Sequence, residues 1–333
     1  MDTTLIQSTR KTKSGLFVRQ DPDFGLLVYS SYTGLIYAVH PSEAEHVKSW
    51  LDRPKVSPPS SVYKCSLGAG WAVPIENSKH FIPHLLPSRE TWGTLPTPKS
   101  PILINWLITG RCPLGCKYCY AEDLMRNDEL EPKVNSIKKI VKCILNLNPL
   151  VVVLTGGDPL FSPHLSLIIQ LLNGKTGIIV DTSGYTFSAT HLELFKRYNV
   201  VLRISFDSER PKVNQAQRPL YPGYPKLVRA GIPTAQAAVS ALCQCLDAGL
   251  PVTVQSVATK KTANDLVALG DKLYRLGVRS WRIFKVAPSK ASIDGYRKLV
   301  GTFSDKGKKL TGKRLKGPYD FVFQNVLDSY LKT

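Results

Sequence analysis

The chain has 333 residues, a hydrophobic fraction of 43% and a formal net charge of +19, and it contains seven cysteines. The length suffices for one large or two modest domains, and the composition is that of an ordinary globular protein. No apolar run is long enough to span a bilayer, and the polar N-terminus lacks the apolar core of a signal peptide, so we expect a cytoplasmic protein without membrane contact. We favour a solvated basic face as the source of the charge; nucleic acid, an acidic peptide or an anionic surface are the alternatives.

The N-terminal region, residues 1–92, predicts a small α+β domain. Three short runs alternate like the strands of a meander: Leu16–Arg19, Leu26–Tyr29 and Leu35–Val39. Ser42 followed by Glu45 is typical of a capping box, which would open a helix that continues to Trp50. An alternative is that this region is only a structural extension of the rest of the chain.

The middle region, residues 97–288, begins after the proline-rich stretch Leu95–Pro101 and alternates apolar runs with helical patterns. The predicted strands are Ile102–Ile108, Val151–Leu154, Gly177–Asp181, Val200–Ser205, Pro251–Val257 and Trp281–Val286. The predicted helices are Ser136–Leu147, Ser162–Leu172, Ala189–Arg197, Thr234–Ala248 and Asn264–Leu276. Such alternation favours parallel strands with helices packed outside them, and six units predict a partial (β/α)6 barrel. Residues 289–333 form a basic extension with a helix candidate at Phe321–Leu331.

Three of the cysteines lie in one short stretch after the first predicted strand of this region, Cys112-Pro-Leu-Gly-Cys116-Lys-Tyr-Cys119-Tyr120. In a reducing compartment, such clustering indicates metal binding instead of disulfides. Three thiolates can hold three irons of a cubane cluster and leave the fourth iron open for a ligand. Zinc is the competing metal, but structural zinc usually takes four ligands, and Cys243 and Cys245 do not have the spacing of a second pair. We expect Tyr120 to pack structurally and Cys143 to lie in the core.

Polar residues also follow the next three predicted strands, and loops at the carboxyl ends of parallel strands gather the chemistry in such folds. The second strand ends in Gly156-Gly157-Asp158-Pro159, whose glycines let the backbone approach a ligand closely. The third ends in Asp181-Thr182-Ser183-Gly184 and the fourth in Arg203-Ile-Ser205-Phe-Asp207. In the fifth strand, Gln255 either points toward a ligand or is a satisfied core amide. Each turn alone is a weak signal, whereas their order along the chain is specific.

The cysteine spacing and the order of these turns resemble the radical S-adenosylmethionine (radical SAM) superfamily, over about residues 106–288. The resemblance implies that Cys112, Cys116 and Cys119 hold one [4Fe-4S] cluster whose open iron binds SAM. It implies SAM contacts by Tyr118, Gly156, Gly157, Asp158, Pro159, Ser183, Ser205, Asp207, Arg218 and Val286, and a substrate contact by Gln255. Asp158 stands where the family usually has glutamate, and Asn214-Gln215 stands where it often has His-Asp. No catalytic residue is assigned.

The resemblance also implies a reaction. In this family the reduced cluster passes one electron to SAM, and the resulting 5′-deoxyadenosyl radical abstracts a hydrogen from an unactivated carbon. We therefore expect a one-electron donor such as flavodoxin or ferredoxin as a partner.

The N-terminal residues, about 15–51, resemble the winged-helix PqqD-like domain found beside many peptide-modifying members of the superfamily. This resemblance implies a ribosomally synthesised precursor peptide as the substrate, with its leader segment adding a strand to the small sheet. No cysteine follows Cys245, so we expect no C-terminal auxiliary (SPASM) cluster. The alternatives are modification of RNA or a small molecule, and, in another class, an iron–sulfur electron carrier or a zinc-binding module. No stretch interleaves basic and aromatic residues as an RNA-binding module does, so nucleic acid is the weaker partner.

Overall fold

The computed structural model describes residues 8–12, 15–21, 25–31, 34–39, 45, 47–49, 100–125, 131–278 and 280–286. The larger sheet has six parallel strands in sequential order: β5 (Leu103–Thr109), β6 (Val151–Gly156), β7 (Gly177–Thr182), β8 (Val201–Ser205), β9 (Val252–Ala258) and β10 (Ser280–Lys285). All six predicted strands are confirmed, each within two residues at either end. Sequential parallel order follows from the strand–helix alternation, because each crossover returns the chain beside the strand it left.

Helices connect these strands. Their bounds are α1 (Val134–Asn146), α2 (Leu165–Leu172), α3 (Ala189–Tyr198), α4 (Pro211–Gln217), α5 (Pro225–Ala230), α6 (Thr234–Asp247) and α7 (Leu266–Arg275). Short 3₁₀ turns occupy Glu122–Leu124, Pro159–Phe161 and Ala263–Asp265. The five predicted helices are confirmed. Helices α4 and α5 were not predicted, because they are short and lie in a stretch punctuated by prolines and glycines, which normally indicates a loop.

The helices cover one face of the six-stranded sheet, the outer face. Alternate strand residues such as Val152, Val180 and Ile204 pack there against buried positions of the helices and are fully buried. On α1 the inward positions are Ile137, Val141 and Ile144, and Cys143 lies off this stripe and is exposed. The expectation that Cys143 lies in the core is therefore wrong: at 100° per residue it falls outside the buried arc of its helix.

A second, four-stranded antiparallel sheet consists of β1 (Arg10–Lys11), β2 (Phe17–Asp21), β3 (Gly25–Ser30) and β4 (Leu35–Val39). The three predicted N-terminal strands are confirmed, and β1 is added. This sheet packs against the face of the larger sheet opposite the helices, which we call the inner face. Phe17, Leu27 and Tyr29 share a buried cluster with residues at the amino ends of β6, β7 and β8: Leu150, Val151, Val153, Ile179 and Val201.

A buried arginine ties the two sheets together. Arg19 is 1% exposed, and its Nη1 donates to the carbonyls of Pro101 (2.9 Å) and Asn148 (2.6 Å) in the larger domain. Its Nη2 donates to Asp21 at 2.9 Å, which compensates the buried positive charge. The small sheet therefore forms a floor under the amino ends of the parallel strands.

Several predictions fall outside the described residues. They are the start of the capping-box helix at Ser42, the domain boundaries near residues 92–97 and 289, and the helix at 321–331; residues 45 and 47–49 are helical. Within the described part of the chain, no helix has both the length and the apolar character needed to cross a membrane.

Candidate active site at the carboxyl ends of the strands

The cysteine loop follows β5 and is held in place by a distant segment. The backbone N–H groups of Gly115 and Lys117 donate to the carbonyls of Pro219 (2.8 Å) and Gln217 (3.0 Å). The N–H of Tyr221 donates to the carbonyl of Pro113 at 2.7 Å, and Leu114 forms an antiparallel bridge with Leu220. The loop that carries the three cysteines is thus paired with the chain that follows α4.

The predicted glycine turn packs directly against the base of this loop. The N–H of Gly157 donates to the carbonyl of Thr109, and that of Asp158 to the carbonyl of Arg111, both at 2.7 Å. A Cβ atom on Gly157 would lie 2.1 Å from the carbonyl oxygen of Arg111, and Gly156 has φ of +124°. Backbone crowding therefore requires both glycines, independently of any ligand. Their predicted approach to SAM stays a prediction.

Asp158 is the centre of a first hydrogen-bonded group, which joins the ends of β6 and β7. It is 1% exposed, and its carboxylate accepts from the Thr182 hydroxyl (2.7 Å), the Ser183 hydroxyl (2.5 Å) and the Ser183 N–H (3.0 Å). It also accepts from the N–H of Leu160 at 3.2 Å, at the start of the 3₁₀ turn whose first residue is the buried Pro159. Its predicted contact with SAM stays a prediction.

Asp207 is the centre of a second group, just past β8. It is 0% exposed, and its Oδ2 accepts a hydrogen bond from the hydroxyl of Tyr118 in the cysteine loop. That hydroxyl in turn accepts from Nη1 of Arg218 at 2.8 Å, and Arg218 lies 3.8 Å from Asp207. The N–H of Val257 donates to Oδ1 at 2.9 Å. The structure thus brings together three predicted SAM-contact residues from three separate stretches of chain.

Burial sets the electrostatics of both groups. It raises the pKa of the Cys116 thiol to about 11, against the opposing charge of Arg218, and it raises the pKa of Cys112, to which the nearby Asp158 carboxylate adds. Burial also raises the pKa of Tyr118, which is therefore a neutral hydroxyl at physiological pH, and that of Asp207, which Arg218 opposes. Thiols in such surroundings need a metal cation to exist as thiolates.

The remaining predicted residues lie on or near the inner face. Ser205 and Gln255 are register partners of β8 and β9, and Gln255 is the register partner of Arg282 on β10. All three side chains are half-buried. One position deeper, Arg203 holds Asp181 through two hydrogen bonds of 2.5 and 2.9 Å. Val286, 6% exposed, immediately follows β10. The inner face of the larger sheet therefore has polar side chains toward the carboxyl ends of its strands and an apolar cluster at their amino ends.

Two findings were not anticipated. Tyr120 does not pack: it is 65% exposed, with its hydroxyl 3.4 Å from Oγ1 of Thr155, and it lies beyond residues 113–117, which pair with the α4 segment. Asn214 supports the second group, since its Oδ1 accepts from the N–H of Asp207 (3.1 Å) and its amide donates to Thr234 (3.0 Å). The sequence offered one signal for it, since Asn214-Gln215 stands where the radical SAM family often has His-Asp.

The donor set fits an iron–sulfur cluster. Cys112, Cys116 and Cys119 are all partly exposed and lie in one short loop. Within the ranges that the structure describes, no three His, Cys, Asp or Glu side chains converge as ligands of one ion. A cubane cluster does not require such convergence, because each thiolate binds a different iron.

The comparisons with known proteins place the chain in a family. Residues 106–273, half of the chain, match the model of the radical SAM superfamily, and the chain belongs to it. Members carry a [4Fe-4S] cluster and SAM, and these are the cofactors of this chain.

Curated relatives include an AdoMet-dependent heme synthase of Nitratidesulfovibrio vulgaris, 23% identical over 56% of this chain and 48% of that protein. They also include a probable GTP 3′,8-cyclase of Methanococcus maripaludis, 30% identical over 51% of this chain and 54% of that protein. The chain spans about half of the length of these two relatives.

Solved structures share the fold at low sequence identity. SuiB of Streptococcus suis bound to S-adenosylmethionine has a TM-score of 0.59 and 13% identity, over 97% of this chain and 71% of that chain. The enzyme anSMEcpe with bound AdoMet and a peptide has a TM-score of 0.53 and 14% identity, over 70% of this chain and 60% of that chain. These likenesses establish the fold.

Proposed function

We propose that this enzyme cleaves SAM reductively and modifies a ribosomally synthesised peptide by hydrogen abstraction. The observation that carries the proposal is the Tyr118–Asp207–Arg218 group, which couples the cysteine loop to the end of β8 with a buried arginine beside Cys116. When bound, the cluster and SAM supply the radical chemistry, and the protein supplies position and shelter from water. Cys112, Cys116 and Cys119 would hold the cluster, and Arg218 would face the methionyl carboxylate, for which a guanidinium is suited.

The peptide substrate is supported by the N-terminal sheet. The likeness to SuiB extends over 97% of the chain, and SuiB has also been solved bound to its precursor peptide SuiA. In the described sheet, β4 pairs only with β3, so its other edge offers backbone groups to which a leader segment can add a strand. The PqqD-like role proposed for this sheet and the one-electron donor belong to the same proposal.

The test is deuterium transfer. Anaerobic reconstitution should give about four irons per chain, and dithionite with SAM should release 5′-deoxyadenosine. A candidate precursor peptide from the same gene neighbourhood, deuterated at its side chains, should then pass deuterium into the 5′-deoxyadenosine. The Cys116→Ala variant serves as the control and should release none.

A small-molecule substrate is the second candidate, because the curated relatives are named for heme synthesis and GTP cyclisation. If deuterium enters 5′-deoxyadenosine from a small molecule, and from no peptide, this second function replaces the first. If the cluster spectrum of the reconstituted protein does not change when SAM is added, both candidate functions are contradicted.

A further inference from the structure

The inner face of the larger sheet carries ionisable side chains that belong to neither hydrogen-bonded group of the site. They are Asp181, Arg203 and Arg282, on β7, β8 and β10. Arg203 shares this face with Val201, a member of the apolar cluster between the two sheets, and Asp181 is bonded to Arg203. Arg282 faces the same way, because its Nη2 donates to the carbonyl of Gly34 in the small sheet at 3.2 Å. The three side chains thus lie together in the interior.

This group of three carries one more positive charge than negative. Arg203 holds Asp181 through hydrogen bonds of 2.5 and 2.9 Å, so one guanidinium balances the carboxylate. Burial raises the pKa of Asp181, and Arg203 and Arg282 both act against it, so Arg282 lies within range of the same carboxylate. Because charges away from water are stable only when they are compensated, the group favours a single further negative charge.

Two buried hydroxyl groups lie beside these arginines. Tyr29 and Thr253 are both 0% exposed, and within the described ranges their hydroxyl oxygens have no hydrogen-bond partner. Burial raises the pKa of Tyr29 and the charges of Arg203 and Arg282 oppose it, so the hydroxyl lies within range of both. Thr253 is the register partner of Arg203. Buried polar groups nearly always have a partner, so these two indicate a place for a polar group that the chain itself does not supply.

The same part of the inner face is open to a ligand and lies close to the predicted SAM site. Ser205, Gln255 and Arg282 are register partners on adjacent strands, and all three are half-buried. Ser205 precedes Asp207, the centre of the second hydrogen-bonded group, by two residues, which is about 7 Å along a strand. A substrate held at Arg282 therefore extends toward that group.

We propose that Arg282 binds a carboxylate of the substrate and thereby determines specificity. The inference rests on the proposed function; in a peptide, the carboxylate is the side chain of an aspartate or glutamate. A guanidinium has five N–H donors, so Arg282 can hold the Gly34 carbonyl and a carboxylate at the same time. A carboxylate supplies the single negative charge that the group favours, whereas a phosphate carries about two.

The test compares two synthetic peptides that differ in one group: acetyl-Ala-Ala-Glu-Ala-Ala-amide and the same peptide with glutamine at its centre. Their Kd values are measured by nuclear magnetic resonance on the reconstituted protein with SAM bound. The wild type should bind the glutamate peptide roughly tenfold more tightly, because a charge-assisted hydrogen bond is stronger than a neutral one. Arg282→Gln should abolish this preference, and Arg282→Glu should instead prefer a peptide with a central lysine.

The matched control is Arg275→Gln, which removes the same charge at an exposed position of α7 and should keep the preference for glutamate. Arg282→Lys retains a cation, should keep part of the preference, and repeats the test if Arg282→Gln impairs folding. Propanoate as a competitor, together with deuterium transfer, distinguishes the source of the carboxylate. Deuterium from an acidic peptide assigns it to a side chain. Displacement of the glutamate peptide by propanoate, with deuterium only from a carboxylated small molecule, assigns it to such a molecule. Either result supports the carboxylate site.

Three results would overturn the inference. An equal loss of affinity for both peptides in Arg282→Gln would give the arginine only a structural role at Gly34. Tighter binding of a phosphoserine peptide than of the glutamate peptide would make the group a phosphate site. A higher Kd for SAM in Arg282→Gln, with the preference between the peptides unchanged, would assign the arginine to the carboxylate of SAM itself.

Failure of this inference can be distinguished from failure of the proposed function, because peptide binding requires no turnover. A preference for the glutamate peptide without deuterium transfer from any peptide contradicts the proposed function and leaves the carboxylate site standing. Deuterium transfer from a peptide, with no preference for glutamate in the wild type, contradicts the carboxylate site alone.

Discussion

At the scale of single residues, the candidate site depends on two buried carboxylates that hold its loops together. Asp207 and Asp158 each serve a different pair of strand ends, and each is almost fully buried. Buried charges are stable only when paired and hydrogen-bonded. Both carboxylates meet this condition through donors from loops that are distant in sequence, so each fixes the relative position of those loops.

Asp207→Asn removes the charge that opposes the buried Arg218 while keeping the shape of the side chain. We expect the free energy of unfolding of the apoprotein to fall by about 3 kcal/mol, because a buried charge is left without its partner. We also expect the Kd for SAM to rise in the reconstituted protein, since Tyr118 loses its charged acceptor and Arg218 loses the carboxylate 3.8 Å away. Urea unfolding and calorimetric titration measure the two effects. Asp271→Asn, at an exposed position of α7, is the control and should change neither.

Asp158→Ala deprives two hydroxyls and two N–H groups of their acceptor. An unsatisfied buried donor costs about 1–3 kcal/mol, and the loop relaxes in part, so we expect a total loss of about 3 kcal/mol. Ser183→Ala, which removes one of these donors and leaves the carboxylate in place, should cost about 1 kcal/mol. Thermal unfolding of the two apoproteins gives the comparison, and similar losses in both would contradict the central role of the carboxylate.

At the scale of elements, the docking of the N-terminal sheet on the inner face explains a glycine that the strand pattern does not. A Cβ atom at Gly177, the first residue of β7, would lie 2.4 Å from two ring atoms of Tyr29 on β3. The Tyr29 ring occupies the space that a side chain at position 177 would take. The glycine therefore lets a side chain of the other sheet pack directly against β7. Tyr29 is fully buried, and its ring lies 6.3 Å from that of Phe17.

Gly177→Ala should therefore destabilise the protein by about 2 kcal/mol through overpacking. In a Tyr29→Ala background the same substitution should cost little, because the clash is gone. A double-mutant cycle on apoprotein unfolding measures this coupling. As a control, Gly177→Ala should keep its full cost in a Leu269→Ala background, which opens a cavity elsewhere in the core. Additive effects of Gly177→Ala and Tyr29→Ala would show that the sheets do not meet as described.

Helix α3 contains a histidine whose protonation opposes folding. His191 stacks on Phe195 with ring centroids 6.2 Å apart, and its Nδ1 lies 2.9 Å from the Ser188 hydroxyl. Burial lowers its pKa, with Asp158 acting in the opposite direction. Because the folded-state pKa lies below the unfolded-state value of about 6.5, the unfolded chain takes up the proton first as the pH falls.

Stability should thus fall between pH 7.5 and 5.5, and it should fall less in His191→Gln. The unfolding midpoints of the wild-type and His191→Gln apoproteins, measured at pH 7.5 and at pH 5.5, test this prediction. Parallel decreases in the two proteins would assign the pH dependence to other groups.

At the scale of the whole molecule, the two sheets share one buried cluster and are joined by the hydrogen bonds of Arg19, whose charge Asp21 on the same strand compensates. Arg19→Met keeps the side-chain volume but removes the guanidinium that pairs with the buried Asp21 carboxylate, which should cost about 3–5 kcal/mol. The wild-type sheets should unfold in a single transition, whereas the variant should become sensitive to proteolysis near residues 8–39 before the barrel unfolds. Replacing both residues, in Arg19→Met/Asp21→Leu, should recover part of the loss. Resistance of Arg19→Met to protease would contradict the anchoring role.

Much of this fold was predictable from local pattern. The six parallel strands follow from apolar runs alternating with amphipathic helices, and Cys112, Asp158 and Asp207 could be placed at one edge because parallel strands end together. The partners of the two carboxylates were not predictable, since Asp207 is bonded to Tyr118, 89 residues away. The packing of the small sheet on the larger one could not be predicted either. Alternation in Leu26–Tyr29 predicts a buried face but does not indicate which element buries it.

The pairing of the cysteine loop with the chain after α4 has a consequence for the order in which the enzyme is made. Leu114 can meet Leu220 only once the chain through β6, β7 and β8 has been made, because these strands lie between the two residues in sequence. A nascent chain that has emerged only as far as the cysteines lacks the scaffold that aligns them. We therefore expect cofactor insertion to follow completion of the six-stranded sheet, so that iron is delivered to a folded apoenzyme.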